Sequence, residues 1–352
     1  MSKDFIELRD ELILYHDVYI LTNSNNVLDK IRNITKKLYL NHKYENFSLW
    51  YGISGIELIL LDLPKNVKYD LNIDNSFQKI IDETNKKITN FKENGDFTNL
   101  DLFKGAIGMI RFLLEVDYEI NEKILNIINR LSKIILDNRN NLDAIFYKKK
   151  DNANFIDISI SHGACSFILI LYYSYKKGYR SDSIYNSIKI LFHYIYKKLY
   201  KDNIIVENCK IGYIYPSNKS KYNWCYGSFS VVYSLWKINR TFNIFESYYF
   251  DKLMRKEILS ISCDNLNTNL FICHGLSGLK LMLLLLEKDF PNIVLEKKDL
   301  LIKYEKNHIL NKFENSSRKK CILTGEYSVL ITEIIYKTTF MNSIIYKMLL
   351  LN

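Results

Sequence analysis

The stretch ICHGLSGLKLMLLLL, Ile272–Leu286, carries the reading from which the fold follows. A Cys-His pair stands directly before a Gly-x-x-Gly turn, and the turn opens a run that is apolar on nearly every side. A helix apolar all round is buried, whereas one with a polar face lies outside. The Gly275 turn (GLSG) has five relatives, at Gly52 (GISG), Gly105 (GAIG), Gly163 (GACS), Gly227 (GSFS) and Gly325 (GEYS). The six are spaced by 53, 58, 64, 48 and 50 residues. One such match arises by chance in any helix-rich chain. Six at near-regular spacing indicate a repeat whose units cannot bury their own faces alone.

The segments between the turns are amphipathic. Glu122–Leu136 places Ile124, Ile127, Ile128, Leu131, Ile134 and Ile135 on one face, and Ser183–Tyr196 does the same with Ile184, Ile188, Leu191, Phe192 and Ile195. Only Pro64, Pro216 and Pro291 are present to interrupt helices. Strands find support only near Asn154–Ser161 and Cys209–Tyr215. The pattern predicts an all-α protein, an α/α toroid of six inner helices sheathed by outer helices. No linker or shift in composition marks a boundary, so residues 1–352 read as a single domain. An N-terminal helical segment over 1–46 is followed by the repeats from 52 to 328. The glycines are expected to allow close backbone approach and to tolerate φ > 0.

Composition narrows the function. The 352 residues are 48% hydrophobic and 25% charged, as in a globular protein. Runs such as Phe167–Tyr173 and Leu281–Leu286 fall short of the roughly 18 residues a membrane span needs. Asp4, Glu7, Asp10 and Glu11 give the N-terminus the wrong charge for a secretory signal, so a soluble cytoplasmic protein is expected. The 49 Lys and Arg against 39 Asp and Glu leave a net charge of +10. Abundant Asn, Ile, Lys and Tyr beside only four alanines look like a coding bias, and the lysines are dispersed. Nucleic acid is excluded as a partner, since its footprint is a concentrated patch.

Six cysteines in a cytoplasmic chain of this size do not suggest a disulfide framework. Cys165, Cys209, Cys263 and Cys321 read as core thiols, free Cys being among the most buried residue types. Cys225 in NWCYG and Cys273 with His274 in ICHG differ, because they stand at matching glycine turns on one rim of the ring. Two thiolates and an imidazole are a recognised zinc set, and three protein ligands leave the fourth tetrahedral position open for chemistry. On spacing alone, packing and ligation both remain open for these residues. Asp101, four residues before Gly105, and His162, directly before Gly163, occupy equivalent rim positions. Asp101 reads either as a helix N-terminal residue or as a general base, and His162 as hydrogen-bonded filler or as a general acid. His16, His42, His193 and His308 sit in ordinary amphipathic segments.

These features together, with His-Gly at the third turn, Trp-Cys-Tyr-Gly at the fourth and Cys-His-Gly at the fifth, resemble the lanthionine synthetase C (LanC) family of lanthipeptide cyclases. The resemblance covers about Gly52–Ser328. It implies one Zn2+ held by Cys225, Cys273 and His274, acid/base roles for Asp101 and His162, and a site role for Tyr226. Lys221 stands where the family often has an active-site arginine, four residues before the first zinc cysteine; lysine keeps the charge but not the bidentate fork. Ser228, Phe229 and Ser230 replace the usual x-Pro-Gly after WCYG.

The activity implied is addition of a peptide cysteine thiol to dehydroalanine or dehydrobutyrine, closing a lanthionine or methyllanthionine ring. The implied partners are a dehydrated lanthipeptide precursor, a separate dehydratase and an ABC exporter, with peripheral membrane association through that complex. Two other classes stand beside this one: a non-catalytic relative that binds thiols such as glutathione through the zinc, and an α/α barrel glycosidase. The last needs paired carboxylates, and Asp101 has no evident partner near the other glycine turns.

Overall fold

Each glycine turn opens a helix in the computed structural model, which describes residues 3–41, 46–63, 74–116, 121–150, 153–200, 221–266, 269–308 and 321–351. These helices are Ile53–Leu61, Ala106–Val116, Ala164–Lys176, Ser228–Phe242, Leu276–Leu286 and Glu326–Thr338. Five of the leading glycines are N-caps with φ between −154° and −81°. Positive φ is therefore not their purpose. Close approach is, as the second glycines of two turns make plain. A Cβ on Gly278 would lie 2.2 Å from the Ile272 carbonyl oxygen and 3.0 Å from Trp224 Cβ. One on Gly108 would lie 2.2 Å from the Leu102 oxygen and 2.7 Å from Leu49 Cβ.

Amphipathic helices fill the intervals: Asp74–Asn94, Glu122–Asp137, Asp182–Tyr200, Ser247–Leu259 and Pro291–His308. The Glu122–Asp137 helix buries the six apolar residues its spacing predicts, and the Asn121 side chain caps it by accepting from Lys123 N at 2.9 Å. Lys3–Thr22 and Asn25–Asn41 form the two N-terminal helices. The only sheet among the described residues is a two-stranded hairpin, Tyr147–Lys150 with Ala153–Ile156. It overlaps the strand expected over 154–161 but stops early. Asp157 ends it by accepting from Ser159 N at 2.9 Å and from Lys148 Nζ at 2.6 Å, a local turn bond that replaces the ladder. The expected strand at 209–215, with Cys209, lies outside the described residues.

The chain divides into two compact units. The first comprises Met1–Tyr147, Ser161–Leu191 and Asn342–Leu351; the second is Lys148–Ile160, Phe192–Met341 and Asn352. In the first unit the closing segment is drawn inward, with Ile344, Ile345, Tyr346, Met348, Leu349, Leu350 and Leu351 all fully buried. Arg111 Nε donates to the Lys347 carbonyl at 3.0 Å and Tyr173 OH to that of Leu350 at 3.0 Å. Asp17 accepts from Ile344 N at 3.2 Å and from the Ser343 hydroxyl.

In the second unit the Leu276–Leu286 helix is buried along nearly its whole length. Its Lys280 is held by Glu305 at 2.6 Å and Glu333 at 2.7 Å, the pairing a buried ammonium requires. The sixth inner helix departs from the all-round apolar expectation. Glu326–Thr338 buries only Ser328, Ile331, Thr332 and Ile335, because Glu326, Glu333 and Lys337 interrupt its surface. Of the expected core thiols Cys165 is buried, but Cys263 is exposed on a 3-10 turn and Cys321 is half-buried. Among the described residues no helix is long and apolar enough to cross a membrane.

Candidate metal centre and acid/base pair

In the second unit, two glycine turns bring their preceding residues together through backbone pairing. Cys225 N donates to the Cys273 carbonyl at 3.3 Å, and Cys273 N to that of Leu323 at 3.1 Å. Three consecutive turn regions are thereby stitched side by side, and residues 48 positions apart in sequence become neighbours. The Cys225 and Cys273 sulfurs and a ring nitrogen of His274 all lie within 4.8 Å of one another. Ligand atoms on a tetrahedral zinc sit roughly 3.5–4 Å apart, given metal–ligand bonds of about 2.0–2.3 Å. The three donors would need to close by only about 1 Å to share an ion, so they fit this metal.

The electrostatics point the same way. Cys225 is fully buried, and its thiol donates to the Cys273 carbonyl at 2.9 Å. Burial, reinforced by the neighbouring Cys273 sulfur, pushes the Cys225 thiol well above the ordinary range. At His274 burial favours the neutral ring, but the adjacent Cys273, with Sγ 3.9 Å from Nε2, outweighs it and raises the pKa. A thiol that resists ionisation beside a ring that favours a proton describes a cluster short of positive charge. A divalent cation supplies that charge and takes the protons' place. Tyr226 lies with its ring nearly parallel to the His274 imidazole, centroids 6.0 Å apart at 21°.

Lys221 begins the same turn, but its ammonium is engaged by Glu257 Oε2 at 2.9 Å and by Ser260 Oγ at 3.1 Å. Neither Glu257 nor Ser260 carried any signal in the sequence, since both end an ordinary amphipathic helix.

Asp101 and His162 come together in the first unit. His162 Nδ1 lies 3.1 Å from Asp101 Oδ2, while Asp101 Oδ1 accepts from Lys104 N at 2.6 Å and Gly105 N at 3.0 Å. One oxygen of Asp101 thus caps the turn, as its helix N-terminal reading expects, and the other faces the imidazole. Phe103 stacks on the His162 ring, centroids 4.9 Å apart at 28°, fixing its plane. The histidine is 30% exposed and the carboxylate 6%, so the ring faces outward from a buried anchor.

A helical repeat of glycine-led inner helices carrying a Cys-Cys-His cluster and an Asp-His pair defines a class. The sequence profile described as lanthionine synthetase C-like protein matches residues 12–328, and the chain belongs to that family. A solved structure titled nisin cyclase is similar to it with a TM-score of 0.77, covering 97% of this chain and 89% of that one at 20% identity. At that identity the likeness carries the fold, the α/α toroid expected from the repeats. No curated protein matches the chain significantly.

Proposed function

We propose that the chain is a zinc-dependent cyclase that forms lanthionine or methyllanthionine rings in a dehydrated peptide. The observation that carries the reading is the meeting of Cys225, Cys273 and His274 within 4.8 Å, in a member of a family whose structural neighbour is titled a cyclase. The family match runs through both compact units and the structural match covers nearly all of the chain, which supports one functional domain.

Cys225, Cys273 and His274 would hold the zinc. When bound there, zinc supplies a fourth position at which a substrate thiol is deprotonated near neutral pH. In the net reaction an S–H bond is lost at the peptide cysteine. A C–S bond forms at the β-carbon of the dehydro residue, and a C–H bond forms at its α-carbon. His162 handles the proton. Its Nδ1 is committed to Asp101, so Nε2 is the atom that takes a proton or gives one. Asp101 holds the ring in that tautomer and stabilises the imidazolium, and Phe103 restrains its rotation. Tyr226 positions the His274 ring. The substrate must come from a dehydratase acting earlier on Ser and Thr side chains.

The test incubates the purified chain with a chemically dehydrated Cys-containing peptide and counts free thiols by alkylation and mass spectrometry. Loss of alkylatable cysteine without change of peptide mass supports the reading. Unchanged thiols with a metal-loaded protein favour the second reading, a thiol-binding relative without turnover. That alternative draws on Lys221, whose charge is spent on Glu257 rather than presented as a guanidinium fork would be.

A further inference from the structure

Lys221 lies four residues before Cys225, and its surroundings are those of a brace. Besides Glu257 Oε2 and Ser260 Oγ, its ammonium sits 5.5 Å from the centroid of the Tyr222 ring. Tyr222, buried at 3% exposure, brings its hydroxyl within 3.0 Å of the same Ser260 Oγ. Asn265 completes the cluster. Its Nδ2 donates to the Ser260 carbonyl at 2.8 Å and to Tyr222 OH at 3.4 Å, and its Oδ1 accepts from Ser262 N at 3.0 Å.

The connectivity gives this cluster its significance. Lys221 and Tyr222 begin the turn that carries Cys225. That turn is tight: Gly227 N donates to the Asn223 carbonyl at 2.9 Å, and Phe229 N to that of Lys221 at 3.1 Å. A displacement at Lys221 is thereby passed to Cys225. Glu257 and Ser260 close the Ser247–Leu259 helix, and Asn265 ends the 3-10 turn Cys263–Asn265, from which the chain runs on to Cys273 and His274. The polar cluster therefore ties the approach to one ligand to the approach to the other two.

We propose that Lys221 and Glu257, with Ser260, form a strut that sets the spacing of the metal ligands, making them positioning residues for the centre. Lys221 then acts on where Cys225 sits and does not act on the substrate. The side chains are 25% and 13% exposed, dry enough for the ion pair to hold a geometry. Outer partners that orient metal ligands are worth 10- to 100-fold in metal affinity. The inference rests on the zinc reading above.

The test is a Co2+ titration of the substrate-free full chain against a competing chelator, read at the thiolate-to-cobalt charge-transfer band. The variants are Glu257→Gln, Lys221→Met and Lys221→Arg, and the thermal midpoint of each metal-free protein is measured beside them. Glu257→Gln and Lys221→Met should weaken Co2+ binding about tenfold, with a metal-free midpoint close to wild type. Lys221→Arg, which keeps the pair, should bind as wild type does. Equal affinity in all four proteins overturns the strut, because a cation reserved for substrate leaves metal affinity untouched. Loss in Lys221→Arg as deep as in Lys221→Met also overturns it. Wild-type protein that takes up no Co2+ overturns the metal centre itself, and the strut with it.

Discussion

At the third glycine turn an imidazole meets a carboxylate that is already bonded to two backbone amides and to the ring. At the fourth and fifth turns an imidazole meets two thiols, one of them pushed far above its ordinary pKa and donating to a carbonyl. The first arrangement is electrostatically complete without a ligand, and the second gains most from a cation. One kind of glycine turn, repeated, has been given two chemistries. What differs is the residue placed one or two positions before the glycine: His162 against an acid on the preceding repeat, Cys225 and His274 against a second sulfur.

The sharpest way to break that contrast is to remove a donor from the metal cluster. Cys225→Ala or Cys273→Ala should lose both bound zinc, measured by elemental analysis, and all ring closure; full cyclase activity in a metal-free variant would end the proposed mechanism. His162→Ala should keep its zinc and lose about 10²- to 10⁴-fold in turnover, the usual worth of a general acid or base. A variant with unchanged rates would assign His162 to packing.

The two units should also separate in pH when metal-free. Glu57, buried on the first inner helix, has its pKa lifted from 4.5 to about 7 by burial, with the nearby Ser76 and Tyr39 hydroxyls pulling the other way. A carboxyl raised on folding contributes stability that is full below pH 4.5 and is lost as pH rises through about 7. The loss should be on the order of 3 kcal/mol, and Glu57→Gln should remove that dependence from denaturant melts. Cys225 belongs to a different window. Its thiol is raised above 9.0, so its contribution holds below pH 9 and drains away at higher pH.

A smaller effect sharpens the comparison further. Gly108→Ala and Gly278→Ala each drive a Cβ onto a carbonyl and should cost about 1–3 kcal/mol as overpacked sites. Because Gly278 abuts Trp224, next to Cys225, only Gly278→Ala should also weaken metal binding. Parallel losses of metal in both variants would mean that the centre reports general instability.

Much of this was legible in the chain. Glycine spacing and the apolar runs behind it mark the six inner helices to within a residue, because a buried helix leaves no polar face to obscure its start. Cys225, Cys273 and His274 were legible as a set because all stand at equivalent turns, and Asp101 and His162 for the same reason. The sixth inner helix was read too generously, since GEYS matches the turn while Glu326, Glu333 and Lys337 contradict the burial. Cys263 and Cys321 were assigned to the core on residue type alone, and neither sits on an apolar face. Glu257 was invisible, because a partner reached from another helix leaves no trace in local spacing. The hairpin ended early because one Asp side chain competes with the ladder, a contest that propensity does not weigh.

The inward-drawn segment Asn342–Leu351 bears on synthesis. A ribosome makes it only after the second unit up to Met341 has been synthesised, yet it is buried in the first. A nascent chain exposing residues 1–191 therefore carries an incomplete interior, with apolar surface awaiting Ile344 to Leu351. The amino-terminal half must be kept from aggregating until late in translation, and chaperone demand should fall on it rather than on the half that carries Cys225 and Cys273.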